Sequence, residues 1–275
     1  MFLLLSYRQE LPITLICAMS SPLYLPLAKS EIRLFCLPPT LHTAAQNANK
    51  AFLHGSLKTV DLADAPSYIG LSYVWGSSAN LKSFELNGHE VKITENLAMA
   101  LEHIQEELDE VTLWIDALCI DQSNVEEKSA QVQRMRDIYA AAEYTLVWLG
   151  PAAEISDVIM NSLEAQIRRY IDMGEQPTSL CGSARTIDIV RRYMENKPET
   201  MDLYKEPSFR KLVVGHQDLL SREWWRRVWV LQEFFVAKDV YFQCGSRRAK
   251  LDAFEFVLTR AGPLFQAHLR VLAST

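Results

Sequence analysis

No apolar run in this chain reaches the roughly 20 consecutive residues that a membrane-spanning helix needs, so no transmembrane segment is expected. An excess of basic residues is also lacking. Lys and Arg total 28 against 34 Asp and Glu, and a net charge of −6 does not suit general phosphate neutralisation. Nucleic acid is therefore not an expected partner, although Arg222, Arg226 and Arg227, and again Arg247, Arg248 and Lys250, form short basic clusters. Cysteine is sparse and scattered. Cys17, Cys36, Cys119, Cys181 and Cys244 are odd in number and include no C-x-x-C pair, which excludes a disulfide framework or a zinc site and suits the cytoplasm. Internal repeats and low-complexity tracts are absent. The opening "MFLLLSYRQELPITLICAMSS" has no basic n-region, and Arg8 and Glu10 interrupt its apolar part. Residues 1–23 thus read as an N-terminal extension, expected to be poorly ordered, rather than a secretory signal.

What remains suits a folded α/β domain over residues 24–275, with 49% hydrophobic residues available for a core. "EIRLFCL" (31–37), "HGSLKTVDL" (54–62) and "YIGLSYVWG" (68–76) read as strands, the last closed by Gly76. Asn87-Gly88 inside "FELNGHEVKI" predicts a hairpin. Thr94 then caps a helix whose Leu97, Leu101, Ile104 and Leu108 share a face. "VTLWID" is an apolar strand, and the S-x-x-E pattern of Ser123 and Glu126 predicts a capping box that opens a helix at Asn124, with Val132, Met135, Tyr139 and Ala142 on its stripe. "YTLVWLGP" (144–151) is another strand, and a long helix over 155–173 ends at Gly174. Residues 174–207 read as an irregular insertion with one short helix near 185–196. A helix over 221–238 should bury Trp224, Val228, Leu231 and Phe235, followed by a hairpin "DVYFQCGSRRAKL" and a last helix. Strand and helix in alternation predict a mostly parallel sheet flanked by helices, with added β-hairpins and a helical insertion.

In such a sheet ligands lie beyond the carboxyl ends of the strands. Gly76, Asp116 and Gly150 each follow a strand directly. Asp116, Asp121, Gln122 and Asn124 can bind the hydroxyls of a ligand, or can simply cap the loop and the next helix. A metal is not expected, because only oxygen ligands are present and their spacing matches no calcium loop. Tyr73, Trp75 and Gly76 can line a ligand with aromatic surface or pack under a helix. Cys119 reads as a buried structural residue, since no histidine is placed beside it. Trp224, Trp225 and Trp229 read as core. Glu233 stands out on an apolar helix: either a partly desolvated carboxylate for acid/base or ion-stabilising work, or the partner of Arg226 seven positions earlier.

Three blocks in order carry a resemblance: "YIGLSYVWG", "LWIDALCIDQSNVEEKSAQVQRMRDIYAAAEYTLVWLG" and "WWRRVWVLQEF". Together they resemble the fungal heterokaryon-incompatibility (HET) domain, from about residue 24 to 245. The resemblance implies a role in fungal self/non-self recognition, in which the domain triggers programmed cell death. It also implies a possible incompatibility partner protein and self-association through the domain. Many members carry the domain at the N-terminus of longer proteins, whereas this chain ends soon after the third block. A minimal member, a fragment and a truncated product stay open. The HET domain is in turn similar to TIR domains, which have a flavodoxin-like sheet and whose enzymatic members hydrolyse NAD through a glutamate in a W-x-x-x-E-like helix. "WVLQE" places Trp229 and Glu233 at that spacing. The enzyme so implied takes NAD as substrate and needs no cofactor: Glu233 stabilises charge at the anomeric carbon, Trp75 stacks near a ring, and Asp116 or Gln122 touches a ribose or an amide. The rival is a non-catalytic module that oligomerises or recruits a death partner, with Glu233 in a buried ion pair.

Overall fold

The computed structural model describes residues 22–39, 53–107, 110–153, 156–157, 159–161, 215, 218–219, 221–227 and 233–251. The chain divides into two compact units, 1–143 and 144–275.

The first unit begins with β1 (Glu31–Leu37) and β2 (His54–Asp61), followed by β3 (Ile69–Tyr73) and a hairpin of β4 (Leu81–Leu86) and β5 (His89–Thr94). Helix α1 (Glu95–Glu107) leads to β6 (Val111–Trp114), a single turn α2 (Asp116–Cys119) and the longer α3 (Val125–Ala141). The strand order is β5-β4-β2-β1-β6-β3. The expected mostly parallel sheet is corrected to a mixed one. Among the described residues β1 runs antiparallel to both β2 and β6, and β4 to β5, whereas the β2–β4 and β3–β6 pairs are parallel.

The hairpin forms where the Asn-Gly pair requires it: Asn87 and Gly88 both take positive φ, 51° and 78°, as a type I′ turn demands. Thr94 Oγ1 accepts the Leu97 N–H at 3.4 Å and caps α1, whose Leu97, Leu101 and Ile104 are buried. Leu108 lies outside the described residues. β1 is buried along nearly its whole length, and Phe35 and Leu37 each contribute about 1.5–3 kcal/mol of burial.

Tyr139 joins α3 to the sheet. Its ring meets Trp114 edge-on at 5.4 Å and its hydroxyl donates to Leu71 O at 3.0 Å. A Cβ at Gly70 would come within 2.7 Å of that ring, so only glycine lets the helix approach so closely. Tyr68 adds a second clamp through its hydroxyl on Ile138 O at 2.6 Å.

The helix start differs from expectation. Asn124, not Ser123, is the N-cap, its side chain accepting the N–H groups of Glu126 and Glu127 at 3.1 Å each. Ser123 is occupied elsewhere, donating both its N–H and its hydroxyl to Asp121 Oδ1.

The second unit holds β7 (Tyr144–Trp148) parallel to β8 (Val240–Cys244), which turns into antiparallel β9 (Arg247–Lys250). Trp224 is buried against Phe242, ring centroids 5.6 Å apart, as its core reading requires, whereas Trp225 is half-buried. The expected continuous helix over 221–238 is interrupted. Glu223–Arg226 form a 3-10 turn and Arg227 is extended (φ −77°, ψ 132°). Phe235, expected inside, is 73% exposed. Val228, Trp229 and Leu231, the 174–207 insertion, most of the 155–173 helix and nearly all of the last helix lie outside the described residues. Among the described residues no helix is long and apolar enough to cross a membrane.

Candidate functional site

Because β3 and β6 are parallel neighbours, their carboxyl ends bring Tyr73–Gly76 and Ile115–Asp116 to one edge of the first unit. There Trp75 donates its indole N–H to Asp116 Oδ2 at 2.8 Å, and Asp116 Oδ1 accepts the Ala117 N–H at 2.8 Å. Gln122 folds back over the same residue, its Nε2 on Asp116 O at 2.8 Å. The Gln122 Oε1 is buried and accepts no hydrogen bond among the described residues. Gly76 has φ +79°, and Asn96 closes the rim from the first turn of α1 by donating to Val74 O at 2.5 Å. Tyr73 is a core residue, and Trp75 is only 8% exposed.

Trp75, Gly76, Asp116 and Gln122 are thus brought together, with Asn96 as a member that sequence reasoning missed. The structural reading of the loop holds for Asp116 and Gln122. Asp116 and Gln122 satisfy backbone groups, as a structural role predicts, yet a polar edge and one unused acceptor remain. Asp121 faces Ser123 and does not cap α3.

The loop is held from behind by an ion pair that the sequence reading also missed. Arg33, on β1 and 2% exposed, forks onto Glu127 of α3 at 2.5 and 3.0 Å. The missed signal was a lone arginine in an apolar strand, which needs a buried partner. Cys119 lies beneath the same loop. Its Sγ accepts the Ile115 N–H at 3.4 Å, and burial pushes the thiol up to about 12, which makes it a structural residue rather than a nucleophile.

Glu233 belongs to the second unit. It is 1% exposed, and both carboxylate oxygens accept from Arg227, Oε1 at 3.1 Å and Oε2 at 3.2 Å. The expected partner, Arg226, is instead exposed at the end of the 3-10 turn. The break in the helix explains the exchange: an extended Arg227 swings its guanidinium where an unbroken helix would have aimed its predecessor. Among the described residues no group of three His, Cys, Asp or Glu is arranged to hold a metal ion.

Comparison with known proteins agrees with the three sequence blocks. The family model described as heterokaryon incompatibility protein (HET) matches residues 68–233. The heterokaryon incompatibility protein 6, OR allele, of Neurospora crassa is 31% identical over 211 residues, covering 70% of this chain and 31% of that protein. The chain therefore spans about a third of that relative's length. No solved structure matches.

Proposed function

This chain belongs to the heterokaryon incompatibility (HET) family, and we propose that it triggers programmed cell death in fungal non-self recognition by engaging a partner rather than by hydrolysing NAD. The observation that carries this reading is the state of Glu233. A glutamate that stabilises a cleaving glycosidic bond must reach the sugar with a free oxygen at about 2.6–3.2 Å. Here both oxygens are held by Arg227 and the side chain is almost fully enclosed. Opening a buried pair of this kind costs about 3–5 kcal/mol, comparable to the roughly 3–4 kcal/mol that one well-placed electrostatic contact contributes to a transition state. A catalytic Glu233 would gain little. The working face in this proposal is the rim of Trp75, Asp116 and Gln122, supported by its place at the ends of two parallel strands and by the unused acceptor of Gln122.

The test is NAD consumption by the purified protein, free and on a clustering scaffold, beside killing of fungal cells expressing the wild type, Glu233→Gln or Trp75→Phe. The expected result is no nicotinamide release, killing retained in Glu233→Gln and reduced in Trp75→Phe. Nicotinamide release by the wild type that disappears in a folded Glu233→Gln variant would overturn the proposal in favour of TIR-like hydrolysis.

A further inference from the structure

We propose that Arg33, Glu127 and Tyr24 form a latch that positions the Asp116–Gln122 loop, and through it the Trp75 indole, on the working rim. Two stretches distant in sequence, 24–33 and 118–127, meet at Arg33. Its Nη1 donates to Cys119 O at 3.1 Å and to Glu127 Oε1 at 2.5 Å; its Nη2 donates to Leu25 O at 2.5 Å and to Glu127 Oε2 at 3.0 Å. Tyr24 lays its ring over the guanidinium, 4.9 Å away, and donates its hydroxyl to Leu118 O at 3.1 Å. Glu127 Oε1 also accepts the Asp121 N–H at 2.8 Å. The latch therefore grips the main chain of Leu118, Cys119 and Asp121, all inside a loop whose two ends carry Asp116 and Gln122. A flat, five-donor fork is what permits this, and an ammonium could not reproduce the paired contact. Tyr24 and Arg33 both precede residue 68, where the family match begins, so two members of the latch come from outside the matched segment.

The inference rests on reading the rim as the working face, and the readout separates the two. In the full chain, the Trp75 indole N–H gives its own amide-type resonance, assigned by its loss in Trp75→Phe. Arg33→Lys and Glu127→Gln are expected to shift that resonance and speed its exchange with solvent by about tenfold or more, because the loop opens without global unfolding. The buried Trp114 indole should be unaffected. Killing should fall in parallel. An unchanged Trp75 resonance and exchange rate alongside a lowered unfolding midpoint would overturn the latch, leaving the pair as a support of the fold alone. Should either variant fail to fold, Tyr24→Phe takes its place: it removes one hydroxyl contact, keeps the ring, and is expected to give a smaller change in the same direction. No change there is equally fatal. If the resonance moves while Trp75→Phe still kills, the latch stands and the rim is not the working face.

Discussion

Among the described residues, a buried Arg–Glu pair with two hydrogen bonds is found in each unit, and the two are built differently. Arg33 and Glu127 are 94 residues apart, and their charges are enclosed at both ends, 2% and 10% exposed. Arg227 and Glu233 are six residues apart, and the arginine end is 20% exposed. The first pair joins β1 to α3 and fixes a loop between them. The second links two side chains close in sequence. Similar chemistry therefore ties distant segments together in one unit and near neighbours in sequence in the other, and the first pair grips the loop that carries the rim.

The sharpest way to break this comparison is to strip each pair of its carboxylate. Glu127→Ala leaves Arg33 buried without its counter-charge and should cost about 3–5 kcal/mol, read from urea unfolding. Glu233→Ala frees an arginine that can reach water, so the expected loss is smaller, about 1–3 kcal/mol. Equal losses would mean that the local pair is as deeply committed as the long-range one.

The thiols extend the contrast. Burial pushes both Cys119 in the first unit and Cys244 in the second up, Cys119 from its ordinary value near 9 to about 12. A raised value in the folded state means stability that is full below about pH 9 and lost as pH climbs towards 12. The slope attributable to Cys119 is roughly 1 kcal/mol per pH unit. Burial also pushes the Tyr24 and Tyr68 phenols up, which steepens the loss above about pH 10. Melting at pH 8, 9 and 10 should show the decline, and Cys119→Ala should flatten its first part. A slope unchanged by that substitution would remove Cys119 as the cause.

At the smaller end, Asn124→Ala should cost about 1 kcal/mol through loss of the α3 cap, and Ser123→Ala less than about 0.5 kcal/mol. The reverse order would restore the capping box that the sequence suggests.

Those caps show how much was legible. Features set within a few residues were: the Asn87-Gly88 turn, the Thr94 cap, the buried stripe of Leu97, Leu101 and Ile104, and the β8–β9 hairpin. Strand direction was not, because an apolar run such as "EIRLFCL" carries no mark of which way its neighbours run; that is settled by pairing with distant β6. Among residues of the candidate site, the grouping of Trp75, Gly76, Asp116 and Gln122 was legible because strand ends and glycines mark rims. Asn96 and Arg33 could not, since their roles arise from elements that meet only in three dimensions. Pairing Glu233 with Arg226 followed from assuming an unbroken helix, an assumption that the 3-10 turn at Glu223–Arg226 removes.

The span between Arg33 and Glu127 also sets a clock. A chain emerging from the ribosome at about 5–20 residues per second makes Arg33 roughly 5–20 s before its carboxylate exists. For most of that interval β1 can pair with β2 but has no β6 along its other edge, and Arg33 lacks its Glu127 carboxylate throughout. The strand at the centre of the first unit is thus made well before the partners that complete it, which leaves an apolar strand edge waiting for later parts of the unit.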